Sequence, residues 1–258
     1  MTYIESILLG IIQAATEFLP ISSSGHLVLA KNLFDINTPG IVVEVILHLG
    51  TLLSIIVFYR YEIWELLIKS IVKKDYNTQR YIFQLGVATV PAVIVGITLK
   101  TQITSFFNNI TFVSIALICT GCILIVSKKY KDGVSIPNWS TVLIIGIAQA
   151  FAIIPGISRS GVTISAAVIS GMDQKEATRF SFLLAIPILF GAGIIEISNI
   201  NNLTNIQTGP IMIGFLSAFI GGLFVIRLLL QIIYNKQFWM FGLYCLGTGL
   251  ITLTIITI

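Results

Sequence analysis

The sequence predicts an all-α integral membrane protein, and three observations carry that prediction. Of its 258 residues, 56% are hydrophobic and only 10% charged, against about 25% charged in a soluble domain. Mean hydropathy is +0.97. Six apolar runs, at approximately 41–60, 80–100, 107–128, 177–198, 209–230 and 238–257, are each long enough to cross about 30 Å of hydrocarbon as a helix. The predicted fold is six transmembrane helices plus two re-entrant helix-turn-helix hairpins, arranged as an inverted-topology repeat within one membrane domain spanning 1–258. No basic stripe or aromatic reading surface accompanies the +4 net charge, so nucleic acid is not an expected partner.

The elements follow in order. Stretch 3–34 is apolar but interrupted at FLPISSSG, and each half is about a dozen residues, too short to span. No Lys or Arg precedes Lys31, so a secretory signal is not expected and residues 1–34 are kept in the mature fold. After the first span, YRYEIWELLIKSIVKKDYNTQRY (59–81) places Trp64, Leu67, Ile68 and Ile71 on one helix face, with Glu65, Lys69 and Lys73 elsewhere. That pattern suits a helix lying on the membrane surface, or a plain connector. Cys119 and Cys122 lie within ALICTGCILIV and read as small residues of a membrane helix, not as a redox or metal pair. Stretch 141–171 repeats the broken pattern, this time at IIPGISRSG. A half-helix, an irregular turn and a second half-helix make a re-entrant hairpin, tolerated at membrane depth only when buried in protein or lining a wet cavity. Glu196 and Arg227 fall near span ends, from which long side chains snorkel.

The two broken stretches align without gaps through the turn. Gly10, Gln13, Ala14, Ile21, Ser22, Ser24 and Gly25 meet Gly146, Gln149, Ala150, Ile157, Ser158, Ser160 and Gly161 at one offset. Such a set points to duplication. Each copy, approximately 1–130 and 137–258, is one hairpin plus three spans. Three is odd, so the second copy enters from the opposite face, the plan of many transporters. On the face holding the N-terminus the loops carry Lys31 and Lys100. The other face receives Arg60, Lys69, Lys73, Lys74, Arg80, Lys128, Lys129, Lys131, Lys175, Arg179, Arg227 and Lys236. That bias makes the second face cytoplasmic and turns both termini and the mouth of the first hairpin outward.

Chemistry concentrates at the two breaks. Arg159 sits halfway through the second hairpin, where a bilayer-centre Arg costs at least about 2.5 kcal/mol. Glu17 lies at matching depth in the first. A structural Glu17–Arg159 pair is one reading, but Ser22, Ser23, Ser24, His26, Ser158, Ser160 and Thr163 are more donors than one ion pair needs. Helix N-termini that follow each turn offer unpaired N–H groups to an anion. Arg159 adds a planar fork that fits phosphate oxygens in pairs. The set reads as a phosphate cradle, although GxxxxGK[ST] is absent. Ser23 and His26 share a helix face at i, i+3, a candidate nucleophile with its base. Glu17 is placed to orient His26, to act as a base or to bind a divalent cation. Glu44 and His48 are one turn apart and either line the entrance or sit at headgroup level.

The residues just named resemble the undecaprenyl-diphosphate phosphatase family, also called the bacitracin resistance protein family, over nearly the whole chain. Its markers are the E/Q-x-x-x-E motif followed by FLPxSSxGH, here Gln13 to Glu17 and FLPISSSGH, and PGxSRSxxT, here Pro155 through Thr163. FSFLLAIP at 180–187 is also similar. The resemblance implies hydrolysis of undecaprenyl diphosphate to undecaprenyl phosphate and inorganic phosphate, which recycles the lipid carrier of cell-wall synthesis. It implies a bacterial plasma-membrane enzyme with an extracytoplasmic site, a divalent cation such as Mg²⁺ or Ca²⁺, and a homodimer. Glu17, Ser23, His26 and Arg159 fall on the family's catalytic positions. Gln13, Ser22, Ser24, Gly25, Ser158, Ser160, Gly161 and Thr163 fall in its substrate-binding motifs. Many members carry Glu where this chain has Gln13, which leaves Glu17 as the main metal candidate. Ser23, His26 or a water molecule is the attacking group. The alternative class is a polyprenyl-lipid flippase or transporter, which the inverted repeat would equally suit; a structural membrane subunit would leave the buried Arg, Glu and His without purpose.

Overall fold

The computed structural model describes residues 1–36, 38, 42–128, 133–198, 208–235 and 237–257. Its helices are α1 (Tyr3–Phe18), α2 (Ser23–Leu33), α3 (Val42–Phe58), α4 (Arg60–Leu67, continuing as a π turn over Ile68–Val72), α5 (Tyr76–Thr98) and α6 (Lys100–Phe106). They continue with α7 (Ile110–Ser127), α8 (Trp139–Phe151), α9 (Arg159–Ile169), α10 (Gln174–Ser198), α11 (Thr208–Tyr234) and α12 (Met240–Thr257). No strand occurs among the described residues; a single bridge pairs Val134 with Met172.

By length and apolarity α5, α7, α10, α11 and α12 are able to cross a membrane, and α3 joins them only together with α4, from which it is bent by 69°. The chain is therefore a multi-pass membrane protein with five or six crossing helices. The predicted first span begins at Ile41, outside the described residues, as do Lys129, Lys131 and Lys236 of the charge count. The segment read as amphipathic is α4 and its π turn. It exposes Trp64, Leu67 and Ile71, with Lys69 bonded to Glu65 at 2.6 Å.

Small residues let the long helices touch backbone to backbone. A Cβ on Gly10 of α1 would stand 2.5 Å from the Gly214 carbonyl of α11, and one on Gly121 of α7 would stand 2.7 Å from that of Gly242 on α12. Beneath the helix breaks lies an aromatic core. Phe18, Phe180 and Phe182 are fully buried. Phe18 meets Phe182 edge-on at 5.7 Å, and Tyr81 meets Phe180 at 5.6 Å, the geometry aromatic quadrupoles prefer.

The two breaks are built alike. In the first, α1 stops before Pro20 and Ser22 adopts φ 69°, its Oγ accepting from the Gly25 amide at 3.2 Å to cap α2. In the second, Gly156 takes φ 96° and Ser158 Oγ accepts from the Gly161 amide at 3.1 Å to cap α9. Ser and Pro explain this locally: proline cannot continue a helix, and serine satisfies the orphan amides of the next one. Thr120 of α7 pins the second turn by donating to the Gly156 carbonyl (3.0 Å) and accepting from the Ser158 amide (3.2 Å). The turns also touch each other: a Cβ on Gly25 would lie 3.1 Å from Gly156 Cα, and one on Gly161 would lie 3.2 Å from Pro20 Cβ.

Candidate active site

Contact between the turns puts Glu17, the penultimate residue of α1, against Arg159, the first residue of α9. Arg159 Nη2 donates to Glu17 Oε1 at 2.7 Å, and Nη1 donates to the Ser181 carbonyl at 3.2 Å. The other carboxylate oxygen, Oε2, accepts from Ser23 Oγ at 2.6 Å and from Gln13 Nε2 at 3.2 Å. Both partners are nearly sealed from solvent, with side chains 13% (Arg159) and 5% (Glu17) exposed. A buried pair of this kind holds together because removing either partner strands the other charge.

A cavity of about 680 Å³ opens onto the pair. Glu17, Ser22, Ser23, Ser24, Ser158 and Arg159 line it, so six of the predicted site residues share one space. Several of the remaining predicted residues support the turns. Thr163 Oγ1 bonds the Arg159 carbonyl at 2.7 Å and Ser181 Oγ at 2.6 Å. Ser160 Oγ donates to the Glu17 carbonyl at 3.3 Å, while Gly25 and Gly161 make the close approaches between turns. Ser22 and Ser158 turn their hydroxyls back onto helix amides. These groups fix the turns and position Arg159; Ser23 is the hydroxyl aimed at the carboxylate.

His26 differs from its expected place. The structure does not join it to Ser23: its Nδ1 faces the Ser22 carbonyl at 2.8 Å, its Nε2 faces Tyr244 Oη at 2.9 Å, and its ring stacks on that of Tyr244 at 5.6 Å. The carbonyl can only accept, so Nδ1 carries a proton and Nε2 is free to accept from the phenol. His26 thus ties α2 to α12. The imidazole that lines the cavity is His48 of α3, whose Nε2 lies 3.4 Å from Glu17 Oε2 and whose Nδ1 faces the Glu44 carbonyl at 2.7 Å. Glu44 pairs with Lys31 at the same cavity's wall. The sequence left Glu44 and His48 either lining the entrance or at headgroup level; the fold puts both at the cavity wall and brings His48 to Glu17.

The donors fit a divalent cation that arrives with phosphate oxygens. Glu17 and the Gln13 Oε1, buried with no hydrogen-bond partner, are hard oxygen donors one turn apart on α1. Among the described residues, no group of three or more His, Cys, Asp or Glu gathers there to form a cage of its own.

A multi-pass helical membrane protein whose paired helix breaks bring an Arg–Glu–Ser cluster to one cavity is suited to hold a polar, anionic group there. Residues 6–251 match the family model described as Bacitracin resistance protein BacA, and the chain belongs to that family. Similar proteins named undecaprenyl-diphosphatase occur in Methanococcus vannielii, 38% identical over 93% of this chain and 95% of the relative, and in Halothermothrix orenii, 37% identical over 97% and 96%. A third, from Syntrophotalea carbinolica, is 36% identical over 95% of both chains.

Proposed function

We propose that this protein hydrolyses undecaprenyl diphosphate to undecaprenyl phosphate and inorganic phosphate, recycling the lipid carrier of cell-wall synthesis and conferring bacitracin resistance. The observation that carries the proposal is the single carboxylate, Glu17, gripped by a guanidinium from one helix break and a hydroxyl from the other. In this reading Arg159 and the amides of the capped α2 and α9 N-termini bind the terminal phosphoryl group and stabilise its charge during transfer. Ser23 attacks phosphorus while Glu17 takes the hydroxyl proton. The new Oγ–P bond replaces the bridging O–P bond, and undecaprenyl phosphate leaves. Water then cleaves the Oγ–P bond and releases inorganic phosphate. A divalent cation, Mg²⁺ or Ca²⁺, would be held by Glu17 and Gln13 together with substrate oxygens and would neutralise charge there.

The remaining architecture follows the same reading. Stretches 3–34 and 141–171 are re-entrant hairpins, and repeats 1–130 and 137–258 are inverted copies; the matched caps at Ser22 and Ser158 support the duplication, and three spans per copy its inversion. In the same reading the protein sits in a bacterial plasma membrane and forms a homodimer, as the family resemblance implies, and the bias of basic residues toward one face supports both termini and the site being extracytoplasmic. Purified protein that releases phosphate from undecaprenyl diphosphate, with the phosphoryl group trapped on Ser23 and activity lost to a chelator, is the expected result. Translocation of the lipid without phosphate release would instead favour a flippase, the reading that facing helix breaks also suit.

A further inference from the structure

The cavity is far larger than a phosphate, and most of its wall is apolar. Two helices, α5 and α10, supply much of that wall, beside Ile103 of α6, Phe107, Ile153 and Ile157. α5 and α10 lie together near their N-terminal ends, where Tyr81 packs on Phe180 and the Arg179 guanidinium lies 5.8 Å from the Tyr81 ring. Each contains a proline further along, Pro91 and Pro187. From there on both turn residues to the cavity, Val93, Gly96 and Ile97 from α5 and Ile188, Gly191 and Ile195 from α10. Val93, Ile97 and Ile195 are 40%, 63% and 42% exposed, so this wall is open at its edge. Gly96 and Gly191 matter most. A Cβ at Gly191 would meet no atom within 4 Å, and one at Gly96 would meet only Ile153 Cδ1 at 3.7 Å. Neither glycine is required for packing, in contrast to Gly10 or Gly121; what each preserves is space.

We propose that the gap between α5 and α10, at Gly96 and Gly191, is the channel through which the isoprenoid chain of the substrate runs from the Arg159 pocket into the bilayer. It is continuous with the cavity that holds Glu17 and Arg159, it is walled by branched aliphatic side chains, and it belongs to helices long enough to face lipid. A polyisoprenoid fits such a channel because burying its methyl-branched units costs the wall no hydrogen bonds. The inference rests on the phosphatase reading and adds to it that chain length is sensed at these two glycines.

The test compares Gly96→Leu, Gly191→Leu and Gly86→Leu with wild type. Gly86 is also a glycine of α5 with no atom within 4 Å of a Cβ, but it does not line the cavity. Each protein is assayed for phosphate release from undecaprenyl diphosphate and from farnesyl diphosphate. Filling a channel with a leucine side chain lowers kcat/KM for the undecaprenyl substrate on the order of tenfold at positions 96 and 191. The farnesyl substrate stays within about twofold, which also shows the variants folded, and Gly86→Leu changes neither. Equal loss on both substrates, or no loss on either, at 96 and 191 would overturn the channel. Wild type that hydrolyses neither substrate would overturn the phosphatase reading, and the channel's occupant with it.

Discussion

At the scale of single residues, the site is a problem of paired charge. Arg159 and Glu17 stand out in the sequence because burying either alone is costly, and the fold resolves that cost at 2.7 Å. Lysine in place of Arg159 keeps the charge but loses the fork that reaches Glu17 and the Ser181 carbonyl together, so Arg159→Lys should lower kcat/KM for phosphate release by about 100-fold. The imidazoles were legible by their spacing, but not in their partners. An i, i+3 spacing put Ser23 and His26 on one face, but it does not fix which way the ring rotates, and the partner that fixes it, Tyr244, lies 218 residues away. Tyr244→Phe should therefore cost about 1 kcal/mol of stability, read as a lower melting temperature in detergent, and leave turnover within a few-fold. His48→Phe should do the reverse and lower kcat with little change in melting temperature, because His48 borders Glu17 at a partly open wall.

Helix breaks are the decisive elements. Both were legible, since Pro, Gly and Ser interrupt runs too short to span, and the structure places α2 and α9 where the motifs predicted. The mutual contact of the turns was not legible, because it depends on α7 holding the second turn through Thr120 and on the absence of side chains at Gly25 and Gly156. A side chain at Gly156 would need φ 96° and would place its Cβ 2.5 Å from the Val113 carbonyl. Gly156→Ala is expected to destabilise the protein by at least about 1–3 kcal/mol, measured as a drop in melting temperature. Loss of a cap is milder: Ser158→Ala should cost about 1 kcal/mol. The turn from α3 into α4 at Tyr59 falls where the predicted first span, 41–60, gives way to the segment read as a surface helix, 59–81; the 69° bend itself is what the structure adds.

At the scale of the whole molecule, the two breaks matter because neither holds a complete site. The first contributes carboxylate and hydroxyl, the second guanidinium. Hydropathy read six spans, where the structure has five helices that suffice alone and a sixth only if α3 and α4 count together; the sharing of one cavity by both breaks required coordinates. The proposed orientation rests on charge: tags at either terminus of the protein in intact cells should react with a membrane-impermeant reagent, and protection of both would reverse the topology. The central claim is that the two breaks act as one catalytic unit. A double-mutant cycle on kcat/KM for phosphate release, using Ser23→Ala from the first break and Arg159→Lys from the second, tests it most directly. Groups that act as a unit are strongly non-additive, so the double variant should be little worse than the poorer single variant. Losses that simply multiply would mean that Ser23 and Arg159 act independently, and would contradict a site shared between the two halves.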